Sequence, residues 1–395
     1  MRFKRGLTPN LIVLFGATFL IASAEELWSR FVPNYLTALG ASIAGVAAYG
    51  ALKDLLEALY QFPGGLAGAR LGYRRALLLF NVLAVCGYLA FAAAQRWWVL
   101  LIALPLVVAW QGLSLPALFA SIGDSLPTGE RSLGFAYQSI VRRVPIVVAP
   151  LLGGLMIARL GTTGGMRTAL LIAAAIGIAA IALQATRHRA VASGGATLAE
   201  LVRDAASLHP RLKALLVSDI VVRFGQGVGE IFVVLYVVSE LHFSTVTFGW
   251  LVGLAMLVSI AVYVPAARIA DRRGREPWVT LTYAFFALFP MVLGSSRSLP
   301  MLVLAFALMG LREIGEPARK AMIVDLARAD RRSVDVGSYY LTRGLAVFPA
   351  SLVGGALWRW APQATFFGAA LLAGLGALVF YVGVARRPTG STGDR

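Results

Sequence analysis

Gly65-Leu66-Ala67-Gly68-Ala69-Arg70-Leu71-Gly72-Tyr73-Arg74-Arg75 has a counterpart far down the chain in Ala267-Arg268-Ile269-Ala270-Asp271-Arg272-Arg273-Gly274-Arg275. Each is a short basic turn, stiffened by glycine, between two long apolar runs. A shift of 202 lays Pro63, Arg70 and Gly72 on Pro265, Arg272 and Gly274. A shift of 201 lays Pro116, Ala120, Asp124, Arg131 and Ser132 on Pro317, Ala321, Asp325, Arg332 and Ser333, and Arg142, Gly153 and Gly154 on Arg343, Gly354 and Gly355. The chain is therefore an internal repeat of two halves.

The solvent around those halves follows from composition. Of the 395 residues 58% are hydrophobic and 14% charged, whereas soluble domains are about half apolar and about a quarter charged. Crossing the hydrocarbon core takes about 20 mostly apolar residues. Read on that scale, helices are expected near 9–33, 45–67, 76–95, 98–121, 135–158 and 167–186. The second half is expected to have them near 213–238, 246–267, 277–295, 299–322, 335–358 and 363–385. The expected fold is all-α and integral to the membrane, with twelve transmembrane helices in two pseudo-symmetric six-helix bundles. Residues 1–186 and 213–395 form the bundles, and the polar stretch 187–212 is read as a linker with a short amphipathic helix. Alternate gaps hold 24 of the Lys and Arg residues and the remaining gaps five, so both termini are expected in the cytoplasm. The first run, from Leu11 to Ile21 and followed by Ala22-Ser23-Ala24, also fits a cleavable signal. Cleavage would leave eleven helices and unpair the repeat, so the run is read as the first span. Six spans separate equivalent positions, which makes the repeats parallel, an arrangement found in transporters.

Several functions are excluded at this stage. The net charge of +17 falls in the gaps between spans, so topology accounts for it and nucleic acid binding is not expected. One cysteine and three scattered histidines offer neither a disulfide framework nor a metal cluster. No phosphate-binding loop is present to drive an ATP-powered pump. No enzyme activity and no cofactor are expected. The expected partners are a small-molecule substrate, protons and the bilayer, and the protein is expected to be a monomer in the inner or plasma membrane.

The two basic turns resemble the G-x-x-x-D-R-x-G-R-R signature of the major facilitator superfamily, and the resemblance extends over essentially the whole chain. The first copy has Ala69 in place of the aspartate; the second keeps Asp271 and lacks the first glycine. The resemblance implies a gating role for Gly65, Arg70, Gly72, Arg74, Asp271, Arg272 and Gly274. It also implies a latch from Asp271 to the inner end of the fifth span near Arg142 or Arg143, with Arg343 as the symmetry mate of Arg142. Ala149-Pro150-Leu151-Leu152-Gly153-Gly154 is similar to the end of the bend motif of the drug/proton antiporter branch. There Pro150 removes a helical hydrogen bond, and Gly153 and Gly154 permit close approach. A fourth-span signature is partial: Gln111 and Gly112 stand in place, but Val108 occupies its arginine position.

Ionisable side chains inside a membrane usually have a partner and a task. Glu25, Glu26 and Arg30 lie in the first span; Lys53, Asp54 and Glu57 in the second. Asp219, Arg223 and Glu230 lie in the seventh, and Arg312, Glu313, Glu316, Arg319 and Lys320 in the tenth. In the superfamily, spans 1, 4, 7 and 10 line the cavity. The resemblance thus implies that Glu25 or Glu26, Glu230, Arg312 and Glu313 carry the proton or touch the substrate. Adjacent helical residues diverge by about 100°, so one of Glu25 and Glu26 is expected to face the cavity and the other Lys53. Arg312 and Glu316 are expected to pair at i,i+4, Arg223 with Glu313 or Glu316, and Asp219 with Arg319. Trp28, Tyr35, Tyr60 and Trp110 read first as packing or interface aromatics.

The favoured reading is proton-coupled efflux of a small amphipathic or cationic organic compound. The alternative is proton-coupled uptake or exchange of a polar or anionic metabolite or ion, for which Arg312 would be the reason. A non-transporting membrane receptor is the third reading, and the charges within the spans count against it.

Overall fold

The computed structural model describes residues 9–71, 73–125, 131–187, 208–328 and 332–385. All regular structure among them is helical. Two compact units emerge from the contacts, Met1–Thr197 with Phe232–Gly253, and Leu198–Ile231 with Leu254–Arg395. The segment Phe232–Gly253, expected in the second bundle, thus packs with the first. The linker expected at 187–212 falls largely outside the described residues, as do Gly72 and the side chains of Arg70, Arg74, Gln111 and Asp271.

The first unit opens with α1 (Pro9–Glu26), a 3-10 turn (Ser29–Phe31) and α2 (Val32–Ala38). Pro33, in the first turn of α2, has no N–H to give back to the preceding turn, and the helix breaks ahead of it. Then come α3 (Ile43–Leu71), α4 (Tyr73–Ala93), α5 (Trp97–Ser125) and α6 (Arg131–Arg187). Within Arg131–Arg187 two helices meet at a kink at Gly161, with φ 73° and ψ 166°. They correspond to the separate helices expected at 135–158 and 167–186, and one glycine in a conformation closed to other residues turns the chain between them.

In this unit α1 lies along α6, α3 along α5, and α4 touches both α5 and α6. Asn81 donates to Gln184 across α4 and α6 at 2.7 Å, both buried. The Trp28 ring meets Tyr88 and Phe91 edge to face at 5.4 and 5.7 Å between centroids. Gly153 and Gly154 sit where α6 is most tightly approached. A β-carbon on Gly153 would collide with the Leu27 carbonyl oxygen, and one on Gly154 with that of Thr245. The Thr245 hydroxyl in turn donates to the Gly154 carbonyl at 2.8 Å. Since both obstacles are backbone, neither can swing aside. Gly154→Ala is therefore expected to lower the melting temperature in detergent by several degrees. Gly164→Ala, whose new methyl would meet only Leu160 Cβ at 3.5 Å, should leave it unchanged. Equal melting of the two variants would refute the packing argument.

The second unit begins with α7 (Pro210–Glu230); the chain then leaves it through α8 (Val233–Leu235) and a π-helical turn (Tyr236–Glu240). It returns within α9 (Thr245–Arg273), followed by α10 (Glu276–Ser295), α11 (Leu299–Leu311) and α12 (Glu316–Leu326). Last come α13 (Arg332–Val347), α14 (Ala350–Trp360), α15 (Pro362–Phe380) and a π-helical turn (Tyr381–Ala385). The turn between α9 and α10 rests on Gly274 at φ 95°, which explains the glycine in the repeated motif. Breaks again follow prolines. Pro317 lies in the first turn of α12, and Pro349 separates α13 from α14. The core of the unit comprises Leu212, Leu215, Val222, Val279, Phe286 and Ile323, together with Tyr283, Tyr339 and Phe380.

Eight helical stretches among the described residues are long and apolar enough to cross a membrane. Their outward side chains include Ile178, Leu371 and Trp360, exposed by 57%, 66% and 83%. Such a surface suits lipid rather than water.

Candidate functional site

Helix α7 carries Asp219, Arg223, Gln226 and Glu230 at successive intervals of four, three and four, which aligns them along one face. This polar stripe inside an apolar bundle is the spine of a network. At its dry end Asp219 is fully buried and accepts four hydrogen bonds. The donors are Arg319 Nη1 at 2.7 Å, Tyr339 Oη at 2.9 Å, Arg343 Nη1 at 3.2 Å and Tyr283 Oη at 3.3 Å. Arg223 Nε lies 3.6 Å from the same carboxylate, an ion pair too long for a hydrogen bond. Arg319 also forks onto Glu316, at 3.1 Å from Nε and 2.8 Å from Nη2, and Arg223 donates to Glu316 from the other side. Desolvating an ion costs several kcal/mol unless partners satisfy it fully. The converging donors meet that condition.

The other end of the stripe is less dry. Arg223 donates to Gln226 at 2.8 Å, and Gln226 to Glu230 at 3.3 Å. Arg312 reaches Glu230 at 3.3 Å, a long contact for a charged pair, and Glu230's side chain is 34% exposed. Phe286 takes the guanidinium of Arg223 at 4.6 Å and that of Arg312 at 4.9 Å from its centroid, and Phe289 takes Arg312 at 4.7 Å. The break between α11 and α12 sets these positions. Arg312 caps the C-terminal end of α11 and Glu316 begins α12, each at the helix end that favours its charge. Glu313 lies between them within the field of Arg223.

That break overturns the expected Arg312–Glu316 pair. Pairing at i,i+4 needs continuous helix, and Glu313, Ile314 and Glu316 instead make i→i−3 bonds, as in Ile314 N to Leu311 O at 3.1 Å, while Gly315 N–H donates to the Thr282 hydroxyl at 2.6 Å. Arg312 consequently turns to Glu230, and Glu316 to Arg223 and Arg319.

In the first unit, Glu26 pairs with Arg30 at 3.0 Å and Lys53 with Glu57 at 2.6 Å, each at i,i+4. The expectation that Lys53 pairs with one of the first-span glutamates is thus corrected: the nearer carboxylate on its own helix holds it. Asp54 adds to the negative field at Lys53. Glu25 differs from all of these. It is 8% exposed and, among the described residues, makes neither an ion pair nor a hydrogen bond through its carboxyl. The charged groups acting on it are Glu26, Arg142, Lys53 and Glu57. Arg142 and Arg143 are half-buried on α6, and Arg272 is exposed on α9.

A sequence profile of the Major Facilitator Superfamily matches residues 14–221 and 215–395. The chain belongs to the major facilitator superfamily. It is 22% identical over 389 residues to an uncharacterized MFS-type transporter of Methanocaldococcus jannaschii, with 95% of each chain covered. Its fold is shared with a POT family transporter crystallised with 5-aminolevulinic acid, at a TM-score of 0.77, 13% identity and 96% of each chain. A variant of the nucleoside transporter NupG also has a TM-score of 0.77, at 12% identity, covering 95% of this chain and 99% of that one. The human organic anion transporter MFSD10 gives 0.67 at 16% identity, over 95% and 100%. This superfamily member is accordingly a multi-pass membrane protein and a secondary transporter, not an enzyme.

For a superfamily transporter, the charged residues singled out in the sequence fall into two sets. Asp219, Arg223, Glu230, Arg312, Glu316, Arg319 and Arg343 form the network of the second unit; Glu25, Glu26, Arg30, Lys53 and Glu57 belong to the first. Sequence reading missed Gln226, Tyr283 and Tyr339. Gln226 was detectable, since it fills the gap between Arg223 and Glu230 on one helical face. Tyr339 stands four residues before Arg343 and shares its face, which was the available hint.

Proposed function

We propose that this transporter works by alternating access and couples solute movement to protons, with Glu25 carrying the proton. The observation that supports this is the isolation of the Glu25 carboxyl. Glu26 and Glu57 lie against Arg30 and Lys53, whereas Glu25 lies buried at the C-terminal end of α1, an end that disfavours negative charge. A carboxyl that gains a proton there sheds a charge the protein does not otherwise neutralise.

In this reading the solute meets the wetter end of the second network, where Arg312, Glu230 and Glu313 stand beside Phe286 and Phe289. The direction is export of a small amphipathic or cationic organic compound. It rests on Pro150, Gly153 and Gly154, which match the drug/proton antiporter branch and make the close contacts described above. A second reading, uptake or exchange of a polar or anionic metabolite, has its own support. Arg312 is fixed by two rings and the Met309 carbonyl, with a long bond to a half-exposed partner. A solute carboxylate would compete well for it.

The helical segments fit twelve spans when α1 with α2, α7 with α8, α11 with α12, and α13 with α14 are each joined and α6 is divided at Gly161. We place both termini in the cytoplasm of a monomer in the inner or plasma membrane, and Asp271 as a latch toward Arg142 or Arg143.

Purified protein in liposomes with an imposed pH gradient tests the reading. Lipophilic cations and, separately, amino acids, nucleosides and organic anions are added while a pH-sensitive dye follows the gradient. Dissipation driven by lipophilic cations is the expected result. Dissipation by anionic or polar solutes alone would replace it with the second reading, and indifference to every solute would remove proton coupling.

A further inference from the structure

Among the described residues, two buried hydrogen-bond donors near Glu25 have no acceptor. Trp28 Nε1 and Tyr88 Oη lie in side chains 2% and 1% exposed, and both are unbonded. Leaving such a group unmet is unfavourable, and buried tyrosine and tryptophan usually find a partner. Here two of them occur together, one ring against the other at 5.4 Å. Glu25, whose carboxyl makes no hydrogen bond among the described residues, is linked to both. Trp28 follows Glu25 by one tight turn, its backbone N–H on the Glu25 carbonyl at 3.4 Å. Tyr88 comes from α4, and Glu25 is the charged side chain whose field reaches its hydroxyl.

Two donors and one acceptor that are vacant among the described residues, on one turn of chain and the ring packed against it, suit a switch with two settings. We infer that Trp28 Nε1–H and Tyr88 Oη–H are the donors that hold the Glu25 carboxylate once its proton has left, so that this aromatic pair positions the coupling group. With the proton on, the carboxyl stands apart from both donors. With the proton off, rotation of the Glu25 side chain brings its oxygens to the two donors. The inference rests on the reading of Glu25 as the proton carrier and adds the groups that govern its release. The charges around it belong to the same account. Glu26 and Glu57 are held by Arg30 and Lys53, and Arg142 on α6 is the remaining cation acting on Glu25. Tyr49 on α3 is the further titratable side chain within its field.

The test needs no transported solute. The full chain is reconstituted in lipid, and the infrared band of protonated carboxyl groups is titrated with pH for wild type, Glu25→Gln, Tyr88→Phe, Trp28→Phe and Tyr35→Phe. Tyr35, whose hydroxyl donates to the Phe91 carbonyl at 3.1 Å, serves as the control for loss of a buried hydroxyl elsewhere. The component lost in Glu25→Gln should titrate in wild type. In Tyr88→Phe and in Trp28→Phe its midpoint should move about one pH unit to the alkaline side, because each lost donor had favoured the charged form. Tyr35→Phe should not move it. A component that vanishes in Glu25→Gln but keeps its wild-type midpoint in both aromatic variants would overturn this inference and leave the proton carrier in place. If no titrating component vanishes in Glu25→Gln, the proton carrier itself is wrong, and the inference falls with it.

Discussion

Glu25→Gln protein, reconstituted in liposomes, dissipates an imposed pH gradient no faster than protein-free liposomes when a transported solute is added. The same protein still exchanges labelled for unlabelled solute across the membrane at close to the wild-type rate. That pairing of results is expected because glutamine keeps the shape and burial of Glu25 but carries no exchangeable proton. Alternation between the two faces of the membrane requires the solute site and the helices to survive, and among the described residues no ion pair or hydrogen bond ties either of them to the Glu25 carboxyl. Glu26→Gln is the informative comparison. It removes half of the ion pair with Arg30, a partly exposed contact worth at most about 1 kcal/mol, and should leave coupling intact. Full gradient dissipation by Glu25→Gln would show that the proton travels elsewhere. Loss of both exchange and coupling would mean that the residue is needed for alternation itself.

The second large effect is on stability. Asp219→Asn removes the charge on which Arg319, Arg343 and Arg223 converge, while Arg319 remains almost wholly buried. Breaking a buried pair from one side costs about 3–5 kcal/mol, because the surviving ion has neither water nor counter-charge. Glu316 still forks onto Arg319, so the variant should fold at low temperature and melt many degrees below wild type. Glu230→Gln, at the 34% exposed end of the network, should shift stability by no more than about 1 kcal/mol. Denaturation in mixed micelles, followed by helix content, measures both. If the two variants unfold together, the four donors on Asp219 do not have the energetic weight assigned to them. Replacing the whole cluster with apolar side chains is a different experiment. Such replacements are often neutral, so a stable apolar variant would say nothing against the expected loss in Asp219→Asn.

Much of this architecture was legible because charges inside apolar runs stand out. Asp219 with Arg319 and Arg223 with Glu316 pair as their positions in the runs suggested, since few other ions are within reach. What stayed hidden depended on small departures from regular helix. Pro317 interrupts the tenth run, so Arg312 and Glu316 do not share the face that spacing assigned to them. Lys53 could be matched from sequence with a glutamate on another helix, yet Glu57, one turn away on its own, holds it. Tyr283 and Tyr339 drew no notice because a tyrosine in a membrane run is ordinary until its depth and its neighbour are known.

The collision that makes Gly153 necessary also fixes a distance in the chain. The carbonyl oxygen against which it rests belongs to Leu27, two residues beyond Glu25. Between carboxyl and contact there is no run of intermediate side chains to soften a displacement, only two peptide planes and the loose turn that follows α1. Backbone meets backbone there, and neither surface can yield by changing a rotamer. A rearrangement at the end of α1 therefore reaches α6 at almost full amplitude, as a short stiff lever rather than a relay.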